Sequence, residues 1–125
     1  MIYLDTNVVV WLSSGNFQLI SDKAIRLIQS NSRLLISPMV ELELQYLFEI
    51  HRITVKSEKI VNQLQEAIGL NVCQHPFPMI IQQAKNVSWT RDPFDRMITA
   101  TAMIHNSRLI SSDKTIAKHY KHVIW

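Results

Sequence analysis

The sequence predicts an α/β fold, a three-layer α/β/α sandwich around a mostly parallel sheet of about four to five strands. Two observations carry that expectation. Short apolar runs of strand length alternate along the chain with longer segments whose apolar residues recur at helical spacing. The composition, 47% hydrophobic and 18% charged with only two glycines, fits a helix-rich packed chain and excludes disorder. At 125 residues the expected organisation is one domain, large enough to bury a core without staples.

The elements follow in order. Ile2-Tyr3-Leu4 is a short buried strand that ends at Asp5, and Thr6-Asn7-Val8-Val9-Val10-Trp11-Leu12 turns at once into a helix. After the loop Ser13-Ser14-Gly15-Asn16, Ser21-Asp22 opens a second helix reaching about Gln29. Arg33 to Ser37 is the second strand, and Pro38 suits the first turn of a helix over roughly Met39 to Ile50. Ser57-Glu58 begins a helix that ends at Gly69, a natural C′ glycine. Leu70 to Gln74 is a third strand candidate, and a helix from about Met79 to Asn86 follows Pro76 and Pro78. In Asp92-Pro93-Phe94-Asp95 the first Asp is an N-cap candidate, the proline suits N1, and Asp95 falls at N3 of the next helix. Arg108 to Ser111 is the fourth strand, Lys114 to Lys118 a short helix, and His122-Val123-Ile124-Trp125 either an edge strand or a tail.

Several function classes fall away on composition. The first apolar run is far too short for a signal peptide or a membrane span, and the single cysteine, Cys73, cannot pair within the chain, so a cytoplasmic protein is expected. His51, His75, His105, His119 and His122 are scattered without zinc-site spacing, which leaves hard cations held by oxygen as the metals to consider. A net charge of +3 is compatible with a polyanionic partner. Six of the ten acidic residues (Asp5, Glu41, Glu43, Asp92, Asp95 and Asp113) lie at predicted strand ends or helix starts, while the basic ones are spread along surface segments.

Asp5 and Asp113 stand at the carboxyl ends of strands, the edge of an open α/β sheet where ligands collect. Asp95 shares a helix face with Ile98, Thr99 and Ala102, a small and apolar face expected to pack inward. On the helix after Pro38, positions 40, 43, 44, 47 and 51 form one stripe, and Glu41 is rotated about 160° from Glu43. Glu43 is therefore favoured over Glu41, because a carboxylate in an apolar stripe is costly unless it is paired or binds a metal. Each of these acids has a plainer reading beside the functional one. Asp5 and Asp92 can simply cap helices, Asp95 can complement the helix dipole, and Glu43 can pair with a surface cation. Crowded together, Asp5, Glu43, Asp95 and Asp113 would repel unless Mg²⁺ or Mn²⁺ neutralised them, with Thr6, Asn7 and Ser111 or Ser112 orienting ligands or waters. That arrangement suits metal-assisted attack of water on a phosphodiester.

Leu4-Asp5-Thr6-Asn7, Glu43 six residues after Ser37, Asp92-Pro93-Phe94-Asp95-Arg96 with its Ala/Thr-rich continuation, and Ser111-Ser112-Asp113 together resemble the PIN-domain proteins, particularly VapC-type toxins of bacterial toxin–antitoxin pairs. The resemblance spans essentially the whole chain. It implies a PIN-like fold and a Mg²⁺-dependent ribonuclease, usually a homodimer, held silent by a small antitoxin. Asp5, Glu43, Asp95 and Asp113 match the family's metal-site acids, and Asp92 and Arg96 belong to the DPFDR form of the motif. Thr90 stands where many relatives have His. For the antitoxin, an Arg or Lys inserted among the acids is the expected inhibitory contact, with Trp11, Leu12, Tyr46 and Ile50 as the expected apolar groove. Two other readings stand beside this one. A haloacid-dehalogenase-type phosphohydrolase would need a second Asp where Asn7 stands, and a PIN-like module could bind RNA or protein without cutting.

Overall fold

A computed structural model, describing residues 1–30 and 32–125, gathers the short apolar runs into one sheet. Strands β1 (Ile2–Leu4), β2 (Leu34–Ile36), β3 (Asn71–Val72), β4 (Arg108–Ile110) and β5 (Val123–Ile124) pair in parallel in the order β3-β2-β1-β4-β5. Parallel neighbours cannot be joined by a tight turn, so every connection is a crossover. Helices fill them: α1 (Thr6–Ser14) and α2 (Asp22–Ile28) after β1, α3 (Pro38–Glu49) and α4 (Ser57–Ile68) after β2, α5 (Phe77–Ala84) and α6 (Pro93–Met103) after β3, and α7 (Lys114–His119) after β4.

Every residue of β1 and β2 is buried. Successive side chains of a strand point to opposite faces, so both faces of the sheet are covered, as the uninterrupted Ile, Leu and Tyr runs require. The main core joins these strands to Val8 and Val9 of α1, Val40 and Leu44 of α3, and Ile60 and Leu64 of α4. A second, smaller core of Ile80, Ala84, Val87, Met97 and Ala100 cements α5 to α6. Burying each Val, Leu, Ile or Met of these cores contributes about 1.5–3 kcal/mol.

Most predicted elements hold, with two differences. The third strand shrinks to Asn71–Val72, because the Leu70 amide donates to Leu64 O and closes α4 behind the left-handed Gly69 (φ 70°). Helix α5 begins two residues early, at Phe77, with Pro78 inside its first turn, where a missing N–H has no intrahelical partner to lose. Of the two readings of the last residues, the edge strand holds: Val123–Ile124 pairs with β4. Among the described residues no helix is long and apolar enough to cross a membrane.

The chain order sets where a ligand would sit. From β1 it steps outward to β2 and β3, and α5 and α6 then carry it back past β1 to β4. Connections leaving β1 and β4 therefore diverge, and the crevice between their carboxyl ends is the topological switch point of the sheet.

Candidate active site

Asp5 sits in that crevice. Its amide donates to Ile110 O at 3.0 Å, so it extends β1 one step beyond the strand. Its carboxylate accepts from the Thr6 amide at 2.8 Å, capping α1, and from Ser111 Oγ at 2.6 Å. The capping reading of Asp5 thus holds, and the same side chain faces the crevice through its bond from Ser111. Ser111 Oγ also accepts from the Asp113 amide at 3.1 Å, which ties the end of β4 to the end of β1. Asp113 in turn caps α7, accepting from the Thr115 and Ile116 amides at 2.8 and 3.0 Å.

Glu43 arrives from α3, and Thr6 Oγ1 donates to its Oε1. A continuous chain of hydrogen bonds therefore runs Glu43, Thr6, Asp5, Ser111, Asp113. Asp92 caps α6 by accepting from the Asp95 amide at 3.0 Å, while its own amide donates to Thr90 Oγ1 at 3.1 Å. Asp95 follows at N3, partly buried, with Ile98, Thr99 and Ala102 buried along the same face as the spacing predicts.

These carboxyls share one electrostatic field. Burial pushes the Asp95 carboxyl up to about 7, helped by the charges of Asp92, Asp5, Asp113 and Glu43. Asp5 is also raised, first by burial and then by Asp113 and Asp92, against the lowering effect of the Ser111 and Thr6 hydrogen bonds. Burial likewise raises Glu43, with Asp5 and Asp92 adding to it and the Thr6 hydroxyl opposing it. Mutual repulsion among oxygen ligands is what a hard divalent cation relieves, so the donor set fits Mg²⁺ or Mn²⁺. Its spacing is nevertheless open. Among the described residues no three His, Cys, Asp or Glu side chains converge tightly enough to hold an ion by themselves. The fit is to a cation that keeps much of its water, as Mg²⁺ commonly does.

Other expected supporters divide. Ser111 is at the centre of the network, whereas Asn7 is exposed on α1. Arg96 points away: its Nε donates to Ala84 O at 2.8 Å and its Nη2 to Lys85 O at 3.4 Å, closing the end of α5. Leu12, expected at the surface, is buried, and Trp11 packs on Trp125 with ring centroids 5.9 Å apart. The bond from Asp92 to Thr90 had no signal in the sequence beyond the presence of a hydroxyl.

Fold and site together define an α/β protein with an acidic edge at the switch point of a parallel sheet. The chain belongs to the PIN domain family, whose profile matches residues 2–122. Three solved structures share the fold. A toxin–antitoxin complex from Klebsiella pneumoniae superposes with a TM-score of 0.69 at 18% identity, covering 100% of this chain and 97% of that one. VapBC-1 from nontypeable Haemophilus influenzae gives 0.66 at 22% identity, covering 100% and 96%. VapBC2 from Rickettsia felis, bound to a DNA fragment from its promoter, gives 0.63 at 21% identity, covering 99% and 96%. No curated protein sequence matches the chain.

Proposed function

We propose that this chain is a Mg²⁺- or Mn²⁺-dependent endoribonuclease of the cytoplasm and the toxin of a toxin–antitoxin pair. One observation carries the reading: Asp5, Glu43 and Asp113, from three other elements, all add their charge to the burial that raises the Asp95 carboxyl. Family membership and the toxin–antitoxin neighbours support it. Asp5, Glu43, Asp95 and Asp113 would hold the cation, with Asp92 beside them. A bound divalent cation supplies charge stabilisation at the phosphate and a water of lowered pKa. The protein's own groups supply orientation: Ser111 fixes the Asp5 carboxylate, Thr6 fixes Glu43, and both hydroxyls favour the ionised form that a cation needs.

Two apolar surfaces support the partners. Leu12, Phe17, Ile25, Ile28 and Ile68 line a cavity of about 590 Å³ between α1, α2 and the end of α4, suited to an antitoxin segment. Leu42 and Tyr46 on α3 and Ile50 at its C-cap, the last two first expected in the antitoxin groove, are 55%, 47% and 42% exposed and suit a second copy of the chain. The deciding assay incubates wild type and Asp5→Asn with mixed RNA, in Mg²⁺ and then in EDTA. Cleavage by the wild type in Mg²⁺ alone is expected, and RNA left intact under all conditions defeats the reading. A second reading, a PIN-fold module that binds RNA without cutting, is favoured by the open spacing of the acids. Retained RNA binding without cleavage would establish it.

A further inference from the structure

Helix α6 carries two buried threonines, Thr99 at 0% exposure and Thr101 at 1%. Thr101 behaves as a buried hydroxyl must: its Oγ1 donates to Met97 O at 2.7 Å, four residues back on the same helix, and stands 3.1 Å from Ser37 Oγ. Thr99 does not. Among the described residues its Oγ1 has no hydrogen-bond partner, although Asp95 offers a main-chain carbonyl four residues back in the same way. A hydroxyl sealed from water without a partner is costly, so an orphan of this kind points to a partner that arrives later.

Its position on the helix indicates which partner. Thr99 follows Asp95 by four residues, beside Ile98 and Ala102 of the main core, while Met97 and Ala100 turn to α5 in the smaller one. Residues four apart on a helix have Cβ atoms about 5–6 Å apart, and helical side chains lean toward the amino terminus, so Thr99 leans toward the turn that holds Asp95. Asp95 is itself the odd acid of the crevice. Asp5 accepts from Thr6 and Ser111, Glu43 from Thr6, Asp92 from the Asp95 amide, and Asp113 from Thr115 and Ile116. Among the described residues no hydrogen bond reaches the Asp95 carboxyl. One turn of α6 thus holds an acid without a donor and a buried donor without an acceptor.

We propose that Thr99 is a positioning residue of the cation site: with a divalent cation bound, its Oγ1 donates to the ionised Asp95 carboxylate and fixes how that carboxylate meets the cation. This rests on the cation-dependent reading above, and it gives Asp95 the orienting hydroxyl that Ser111 gives Asp5 and Thr6 gives Glu43. The test is cation binding without RNA, titrating Mg²⁺ and then Mn²⁺ by calorimetry into the full chain as wild type, Thr99→Val and Thr99→Ser, with melting temperatures in EDTA alongside. Valine keeps the shape of threonine and removes the hydroxyl. Thr99→Val should therefore melt in EDTA no lower than wild type, since no bond is lost there, yet bind the cation about ten- to a hundredfold more weakly. Thr99→Ser should restore most of the affinity, and in an Asp95→Ala background Thr99→Val should cost no more. Wild-type affinity in Thr99→Val overturns the role, as does an equal loss with and without the Asp95 carboxylate, or a lower melting temperature of Thr99→Val in EDTA. A wild type that binds neither cation removes the cation reading and this role together, whereas one that binds a cation through Thr99 and leaves RNA intact removes the ribonuclease and keeps the role.

Discussion

At the scale of single residues, the acids differ in how much structure each carries besides its charge. Asp5 caps α1, and Asn caps as well as Asp does, so Asp5→Asn should fold normally while losing a charge from the crevice. Its cleavage rate, and that of Asp95→Asn, should fall by about a hundredfold or more at equal Mg²⁺, measured on RNA with circular dichroism as the fold control. Glu43→Gln should lose activity and Glu41→Gln keep most of it, because Thr6 bonds the Glu43 carboxylate while the Ser57 hydroxyl reaches only the Glu41 main-chain carbonyl. The reverse ranking would place the functional face of α3 on its other side. Asp95 also sets a pH dependence. Its carboxyl titrates near 7 in the folded protein, so between the ordinary carboxylate value and about 7 the folded state keeps a proton that the unfolded chain has released. Stability should therefore fall as pH rises through that window, the full penalty standing above it and none below the unfolded value. Discounted for solvent screening, the penalty is about 1–2 kcal/mol. Urea denaturation in EDTA at about pH 5 and about pH 8 should show a larger loss for wild type than for Asp95→Asn.

At the scale of elements, helix starts matter more than helix bodies. The starts of α1, α6 and α7 each place an acid at the carboxyl edge, because the residue that caps a helix is also the residue at which a strand or loop ends. That is why so much was legible beforehand: Asp5, Asp92 and Asp113 carry local cap signals, Gly69 stops α4, and the phase of α3 separates Glu43 from Glu41. What was not legible depends on contacts far apart in sequence. Nothing near Ser111 distinguishes it from Ser112, and only the approach of β1 to β4 selects it. Arg96 read as part of the acidic motif, yet its reach to Ala84 and Lys85 follows from the packing of α5 on α6, which no periodicity encodes. Arg96→Met should accordingly cost about 1–2 kcal/mol by leaving those carbonyls without their donor, a loss readable by urea denaturation. The stabilisation gained on adding Mg²⁺ should be the same as in wild type. A reduced gain would move Arg96 back into the site.

At the scale of the whole molecule, the crevice gathers carboxyls that burial and mutual repulsion hold back from ionising. Mg²⁺ at several times its dissociation constant should raise the melting temperature by a few degrees, since binding only the folded state contributes about 1 kcal/mol or more by mass action. The rise should shrink in Asp95→Asn, and a melting temperature indifferent to millimolar Mg²⁺ and Mn²⁺ would argue against a site formed in advance. Expression without a partner should slow bacterial growth, and Asp5→Asn should not. The central position of β1 has one more consequence. Its neighbours are β2 and β4, and Asp5 receives the Ser111 hydroxyl from 106 positions further along the chain. During synthesis the amino-terminal half can gather β1, β2 and their helices, but the crevice stays open on one side until β4 has been made and threaded in beside β1. The crevice between β1 and β4 therefore assembles late in synthesis, and on the ribonuclease reading proposed above a nascent chain has no complete site until β4 has emerged.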